Sequence, residues 1–167
     1  VEEKSIYYSI LPTTTAFARN ALFSGMMPAD MARLYPKFWE DEDSEEGKNN
    51  FEEDWIRVNL EKNRLPVKFS YHKIIQTQQG KTVVDQFHTM LQNDLNVLVY
   101  NFVDMVSHAR TDMKMIRELA PDESAYRSLT KSWFEHSSLF DLMKKIHHAG
   151  GDVIVTTDHG TKKVNKP

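Results

Sequence analysis

Cysteine is missing from all 167 residues of the chain. That excludes a disulfide framework and a thiolate metal site, and it fits a reducing compartment. No apolar run reaches the ~18 residues that a membrane-spanning helix needs. An excess of basic charge is missing too. The 21 Lys and Arg stand against 24 Asp and Glu, for a net charge of −3. Electrostatics therefore give no reason to expect a general binder of nucleic acid or membrane surfaces. Internal repeats are absent as well. What is present, 40% hydrophobic and 27% charged residues, is the balance of a soluble globular domain with a real core.

The chain begins at Val1 and ends at Pro167, each close to a predicted strand, which reads as a piece of a longer protein. Buried strands are expected at Ile6 to Leu11, at Leu95 to Val103 ("LNVLVYNFV") and at Asp152 to Thr157 ("DVIVTT"). The central run is apolar enough to be covered on both faces. Val67 to Thr77 alternates like a strand near an edge, and Gln78-Gln79-Gly80 reads as the turn after it. A helix is expected from Thr14 or Thr15, with Phe17, Ala18, Ala21 and Leu22 at helical spacing and Gly25 as its C′ residue. Further helices are expected at Pro28 to Tyr35, Asp54 to Asn63, Val83 to Gln92, 109–119 and 122–148. Residues 40–50, "EDEDSEEGKNN", are too polar to bury and read as a surface loop. Phe38, Trp39, Phe51 and Trp55 around it are expected to pack that insertion. Strands alternating with helices imply an α/β layered fold with a largely parallel sheet.

In such sheets chemistry gathers beyond the carboxyl ends of the strands. That rule selects Thr13–Thr15, Asp104–His108 and Asp158–His159. Asp104 and His108 are four apart, so on a helix they share a face and can reach one cation. Equally, Asp104 suits a helix cap and His108 a partly buried polar position. Asp158-His159-Gly160 suits a ligand pair where the chain leaves a strand, and it also suits an ordinary turn. The threonines suit a helix cap. A hydroxyl at a helix N-terminus can also be deprotonated beside a metal ion and attack phosphorus. Together, a hydroxyl, a D-x-x-x-H and a D-H, each after an apolar strand, supply what metal-assisted phosphoryl or sulfuryl transfer requires.

"PTTTAFARNALFSGMMP" (12–28) resembles the nucleophile segment of the alkaline phosphatase superfamily, especially its nucleotide pyrophosphatase/phosphodiesterases. "FVDMVSHAR" resembles the superfamily's D-x-x-x-H, and "TTDHG" its D-H-G. Within it, "LPTTTAFARNALFSGMMP", "VDMVSHAR" and "VIVTTDHGT" are similar to a PglZ domain. They most resemble the output domain of PorX-type response regulators of Bacteroidetes, which act in type IX secretion. The resemblance implies an alkaline-phosphatase-like three-layer sandwich with a largely parallel central sheet, incomplete in this chain. Residues 1–167 would form one fragment of it, without the N-terminal receiver domain or the C-terminal part.

The same resemblance implies a zinc-dependent phosphodiesterase or phosphatase of the cytoplasm, away from membranes, acting on nucleotide or oligonucleotide phosphates. Its partners would be the receiver domain, a sensor histidine kinase and a second copy in a homodimer. Thr15 would be the nucleophile and bridge two zinc ions, with Thr13 or Thr14 in its place if the register slips. Asp158 and His159 would hold the ion that activates Thr15. Asp104 and His108 would hold the other. Arg19, one turn beyond Thr15, would bind the substrate phosphate, or else stand as a surface charge. The superfamily's upstream Asp has no counterpart before Thr15, where only Glu2 and Glu3 are acidic, and no His follows His159. Each ion would therefore lack a ligand here, and the fragment is expected to hold one ion at most. A non-catalytic signalling module that binds a nucleotide or a protein is the other expectation. Sulfatase chemistry fits less well, because it uses a modified Cys or Ser.

Overall fold

The computed structural model describes residues 3–40, 49–103, 106 and 114–160. They form a mixed α/β structure with a parallel two-stranded sheet, consistent with a fragment of an alkaline-phosphatase-like fold. The chain divides into two compact units, Val1–Pro66 with Val155–Pro167, and Val67–Ile154.

The first unit is built on three helices, α1 (Thr15–Ser24), α2 (Pro28–Leu34) and α3 (Glu52–Lys62), with a 3-10 turn at Pro36–Phe38. Thr14 occupies the N-cap of α1 in an extended conformation, without a side-chain capping bond. Gly25 ends the helix at φ 61°, ψ 29°, and its N–H donates to the Ala21 carbonyl. A residue with a Cβ adopts that left-handed geometry only at a cost. Pro28 opens α2, where its missing N–H costs nothing. Met26, Met31, Trp55 and Val58 form the core, with Phe23, Tyr35, Phe38, Trp39 and Phe51 packed around them. Trp55 is fully buried, and its ring meets Tyr35 and Phe38 edge-on at 6.0 and 5.6 Å. Burying a side chain of this size contributes about 1.5–3 kcal/mol. The aromatics around the acidic stretch are thus core residues.

The second unit carries β1 (Phe69–Ile74), α4 (Thr77–Asp85), α5 (Phe87–Met90), β2 (Leu95–Tyr100), α6 (Lys114–Leu119), α7 (Glu123–Glu135) and α8 (Ser138–His148). β1 and β2 pair in parallel, from Phe69 opposite Leu95 to Ile74 opposite Tyr100. Parallel neighbours need a crossover, which α4 and α5 supply. Ile74, Val83, Met90 and Leu142 form the core, with Val84, Phe87, Leu98, Tyr100 and Ile146 against it. Among the described residues, no helix is long and apolar enough to cross a membrane.

Three expectations are corrected. Gln78-Gln79-Gly80 is not a turn but the first part of α4. Gln76 and Gln79 close a capping box there, and Gly80 lies against the Ser138 side chain of α8, so the glycine serves packing instead of bending. The helix expected over 122–148 is two helices, because the Ser137 hydroxyl accepts from the Phe140 N–H and starts α8; residues 109–113 lie outside the described residues. The segments 6–11 and 152–157 are extended but are neither paired in a ladder nor buried: Ile6, Tyr8 and Ile154 are 87%, 99% and 92% exposed. A strand is buried only where neighbours take up its backbone groups and a layer covers its face. Among the described residues, no ladder takes up the backbone groups of these segments, and Ile6, Tyr8 and Ile154 stay uncovered.

Candidate active site

The carboxyl end of the first extended segment delivers three threonines to the start of α1. Thr13 and Thr14 are exposed, and Thr15, the first helical residue, is half-buried. Side chains of the first segment reach residues 157 and 158 at the end of the second. The Tyr7 hydroxyl donates to the Thr157 carbonyl, and Ser9 Oγ donates to the Asp158 carbonyl at 2.6 Å. These contacts bring Asp158 and His159 to Thr15.

Thr15 Oγ1 lies 2.9 Å from His159 Nε2. The other ring nitrogen, Nδ1, lies 3.2 Å from the Gly160 carbonyl oxygen, which can only accept. Nδ1 is therefore assigned the hydrogen, and Nε2 of the neutral ring is left to accept from the Thr15 hydroxyl. Asp158 Oδ2 stands 3.9 Å from the same Nε2. The side chains of Asp158 and His159 retain only 13% and 17% of their exposure.

Arg19 is not a surface charge. It is buried in α1, with Nε donating to Asp158 Oδ2 and Nη1 to Glu52 Oε1, each at 3.3 Å. Glu52, at the start of α3, is buried to 1%. It also accepts from Asn49 Nδ2 at 3.0 Å, and the same amide donates to the Thr15 carbonyl at 3.3 Å. Reasoning from sequence passed over Glu52 and Asn49. The available signal was the spacing Glu52, Trp55, Ile56, which sets an acid on the apolar stripe of an amphipathic helix. A groove of about 280 Å³ opens beside these residues, between Tyr8, Ile10, Leu22 and Met27, and Asp158 is its one charged lining residue.

Thr15, Arg19, Asp158 and His159 are thus gathered within the first unit. Asp104 and His108 lie outside the described residues. Among the described residues, no group of three or more His, Cys, Asp or Glu is placed to hold a metal ion. The donor set that is present, one carboxylate, one imidazole and one alcohol, is of the chemistry that zinc accepts.

An α/β chain that presents an alcohol to an acid and an imidazole at the ends of two extended segments falls in the class of alkaline-phosphatase-like domains, a phosphoesterase superfamily. Comparison with protein families narrows the class. The family described as the BREX system PglZ alkaline phosphatase-like domain matches residues 1–167, and the chain belongs to this PglZ family. No curated protein matches the chain significantly.

Proposed function

We infer that the protein is a metal-dependent phosphoester hydrolase acting on nucleotide or oligonucleotide phosphates, with Thr15 as its nucleophile. The observation that carries this reading is the 2.9 Å approach of Thr15 Oγ1 to His159 Nε2. An alcohol attacks phosphorus only once its proton has somewhere to go, and a neutral imidazole nitrogen at hydrogen-bond distance accepts it. Thr15 Oγ1 would bond to phosphorus as the ester oxygen departs with a proton. Water would then hydrolyse the phospho-threonine, releasing phosphate or a phosphomonoester and restoring the hydroxyl. The N-terminus of α1 directs its positive end towards the incoming anion. When zinc is held by Asp158, His159 and Thr15, Nε2 would serve as its ligand in place of accepting the proton, and the ion would supply charge neutralisation on phosphorus and a Thr15 hydroxyl acidic enough to release its proton to water. Asp104 and His108 would belong to a second ion.

The wording of the three motifs supports a narrower setting: the output domain of a PorX-type response regulator, cytoplasmic, dimeric, and working in type IX secretion with its receiver domain and sensor kinase. Turnover of bis(p-nitrophenyl) phosphate by the intact protein, lost in Thr15→Val with folding retained, tests the catalytic reading. One observation favours a non-catalytic module instead: Arg19 already occupies Asp158 Oδ2. Nucleotide binding at equilibrium without any turnover would establish that reading.

A further inference from the structure

We propose that Glu52 and Arg19 are positioning residues, a buried strut that holds Asp158 and the Thr15 turn in register with each other. The proposal rests on the catalytic reading of Thr15 above.

Six residues and five short contacts carry it. Glu52 keeps 1% of its side-chain exposure, Arg19 10% and Asp158 13%. A buried carboxylate persists only where partners replace its water. For Glu52 those partners are Arg19 Nη1 and Asn49 Nδ2, both on one oxygen, Oε1. Each partner then continues to a residue of the site. Arg19 turns its Nε to Asp158 Oδ2, and Asn49 donates to the carbonyl of Thr15. One acid at the start of α3 therefore ties down both the threonine that attacks and the loop that carries Asp158 and His159. The Ser9 hydroxyl fixes the same loop from the other side, through the Asp158 carbonyl.

This assigns Arg19 a role different from holding substrate. A guanidinium is a rigid fork whose donors keep fixed directions. With Nε on one carboxylate and Nη1 on another, the plane of the fork is set by Asp158 and Glu52. Glu52 has a reason to be Glu: its charge balances a guanidinium withdrawn from water, and its length carries that charge from α3 to α1. A neutral amide at the same place would take away one of the anions that face Arg19.

The test uses the intact protein and three measurements on Glu52→Gln, Glu52→Asp and Arg19→Lys. These are steady-state kinetics on bis(p-nitrophenyl) phosphate, inhibition by inorganic phosphate, and amide hydrogen exchange. Positioning predicts that kcat falls about 10–100-fold, the cost of a misplaced reacting group. KM and the phosphate inhibition constant stay within about threefold. Exchange at residues 156–160 rises about tenfold, with no change across β2. If KM and the phosphate constant rise while kcat holds, Arg19 contacts the substrate and the proposal fails. It fails equally if kcat and exchange at 156–160 are unchanged. Should Glu52→Gln not fold, Arg19→Lys and Glu52→Asp, which keep the charges, decide the matter by the same measurements. Thr15→Val separates the two claims. If it retains full turnover, the catalytic reading is wrong, and local exchange at 156–160 still decides whether Glu52 and Arg19 order the loop.

Discussion

The Thr15 hydroxyl and the Nε2 atom of His159 stand 2.9 Å apart, although 144 positions of sequence separate them. Neither residue gains much stability from the contact, since a half-exposed hydrogen bond contributes about 0.5–1.5 kcal/mol at most. Its consequence is chemical. Thr15→Val keeps the shape of the side chain and removes the oxygen. The expected result is a loss of about 10³-fold or more in diester turnover, with a melting temperature close to that of the parent. Thr15→Ser retains an alcohol and is expected to keep measurable activity. Kinetics and thermal melts on the same preparations check both.

Asp158 is shared between two demands, a guanidinium on Oδ2 and the cation the family resemblance implies. Chelation is expected to abolish turnover, and added zinc to restore it. Asp158→Asn keeps the size of the side chain and removes its charge. Zinc affinity is expected to fall by about tenfold or more, and calorimetric titration with zinc chloride reads that directly. Unchanged affinity in Asp158→Asn would place the ion elsewhere.

Local chemistry was legible in the sequence where one short stretch held all of it. Gly25 as a left-handed helix end, Pro28 as a helix start and the strands β1 and β2 could each be read from neighbouring residues. The threonines and the Asp158–His159 pair were legible as candidates through their place after apolar segments. What the sequence withheld depends on distant partners. Gly80 reads as a turn until Ser138 of α8 is placed against it. Ile6 to Leu11 reads as a buried strand because its composition is that of one, yet burial is settled by what lies alongside. Arg19 one turn after Thr15 reads as solvent-facing or substrate-facing. The positions of Glu52, 33 residues on, and of Asp158, 139 residues on, turn it inward.

The Gly80 contact gives a prediction with competing terms. In an ordinary helix interior, Gly→Ala gains about 1 kcal/mol from propensity. At Gly80 the added methyl would overlap Ser138 Oγ and approach Ser138 Cβ to 3.1 Å. Overpacking of this kind costs about 1–3 kcal/mol, so Gly80→Ala is expected to be neutral to destabilising by up to about 2 kcal/mol. Adding Ser138→Ala removes the oxygen and recovers part of the loss, which makes the pair non-additive. Urea unfolding of the two single variants and the double variant measures the coupling.

Tyr100, at the end of β2, offers a pH dependence whose sign can be worked out. Burial pushes its phenol above the ordinary value of about 10, with Ser138 pulling weakly the other way. The hydroxyl leans towards Ser138 but meets no partner in good hydrogen-bond geometry. Well below pH 10, up to about pH 9, the phenol is protonated in both the folded and the unfolded chain, so it adds no slope. Above that, the unfolded chain releases its proton first, and stability falls as the pH rises towards the folded value. Tyr100→Phe removes both the titration and an unsatisfied buried oxygen. At neutral pH it is expected to lie within about 1 kcal/mol of the parent or slightly above it. Between about pH 9 and 11 its advantage should widen. Chemical unfolding at stepped pH reads the difference between the two proteins, in which the other tyrosines and the lysines cancel. A constant difference across that range would mean that the Tyr100 phenol titrates in the folded protein as it does in the unfolded chain.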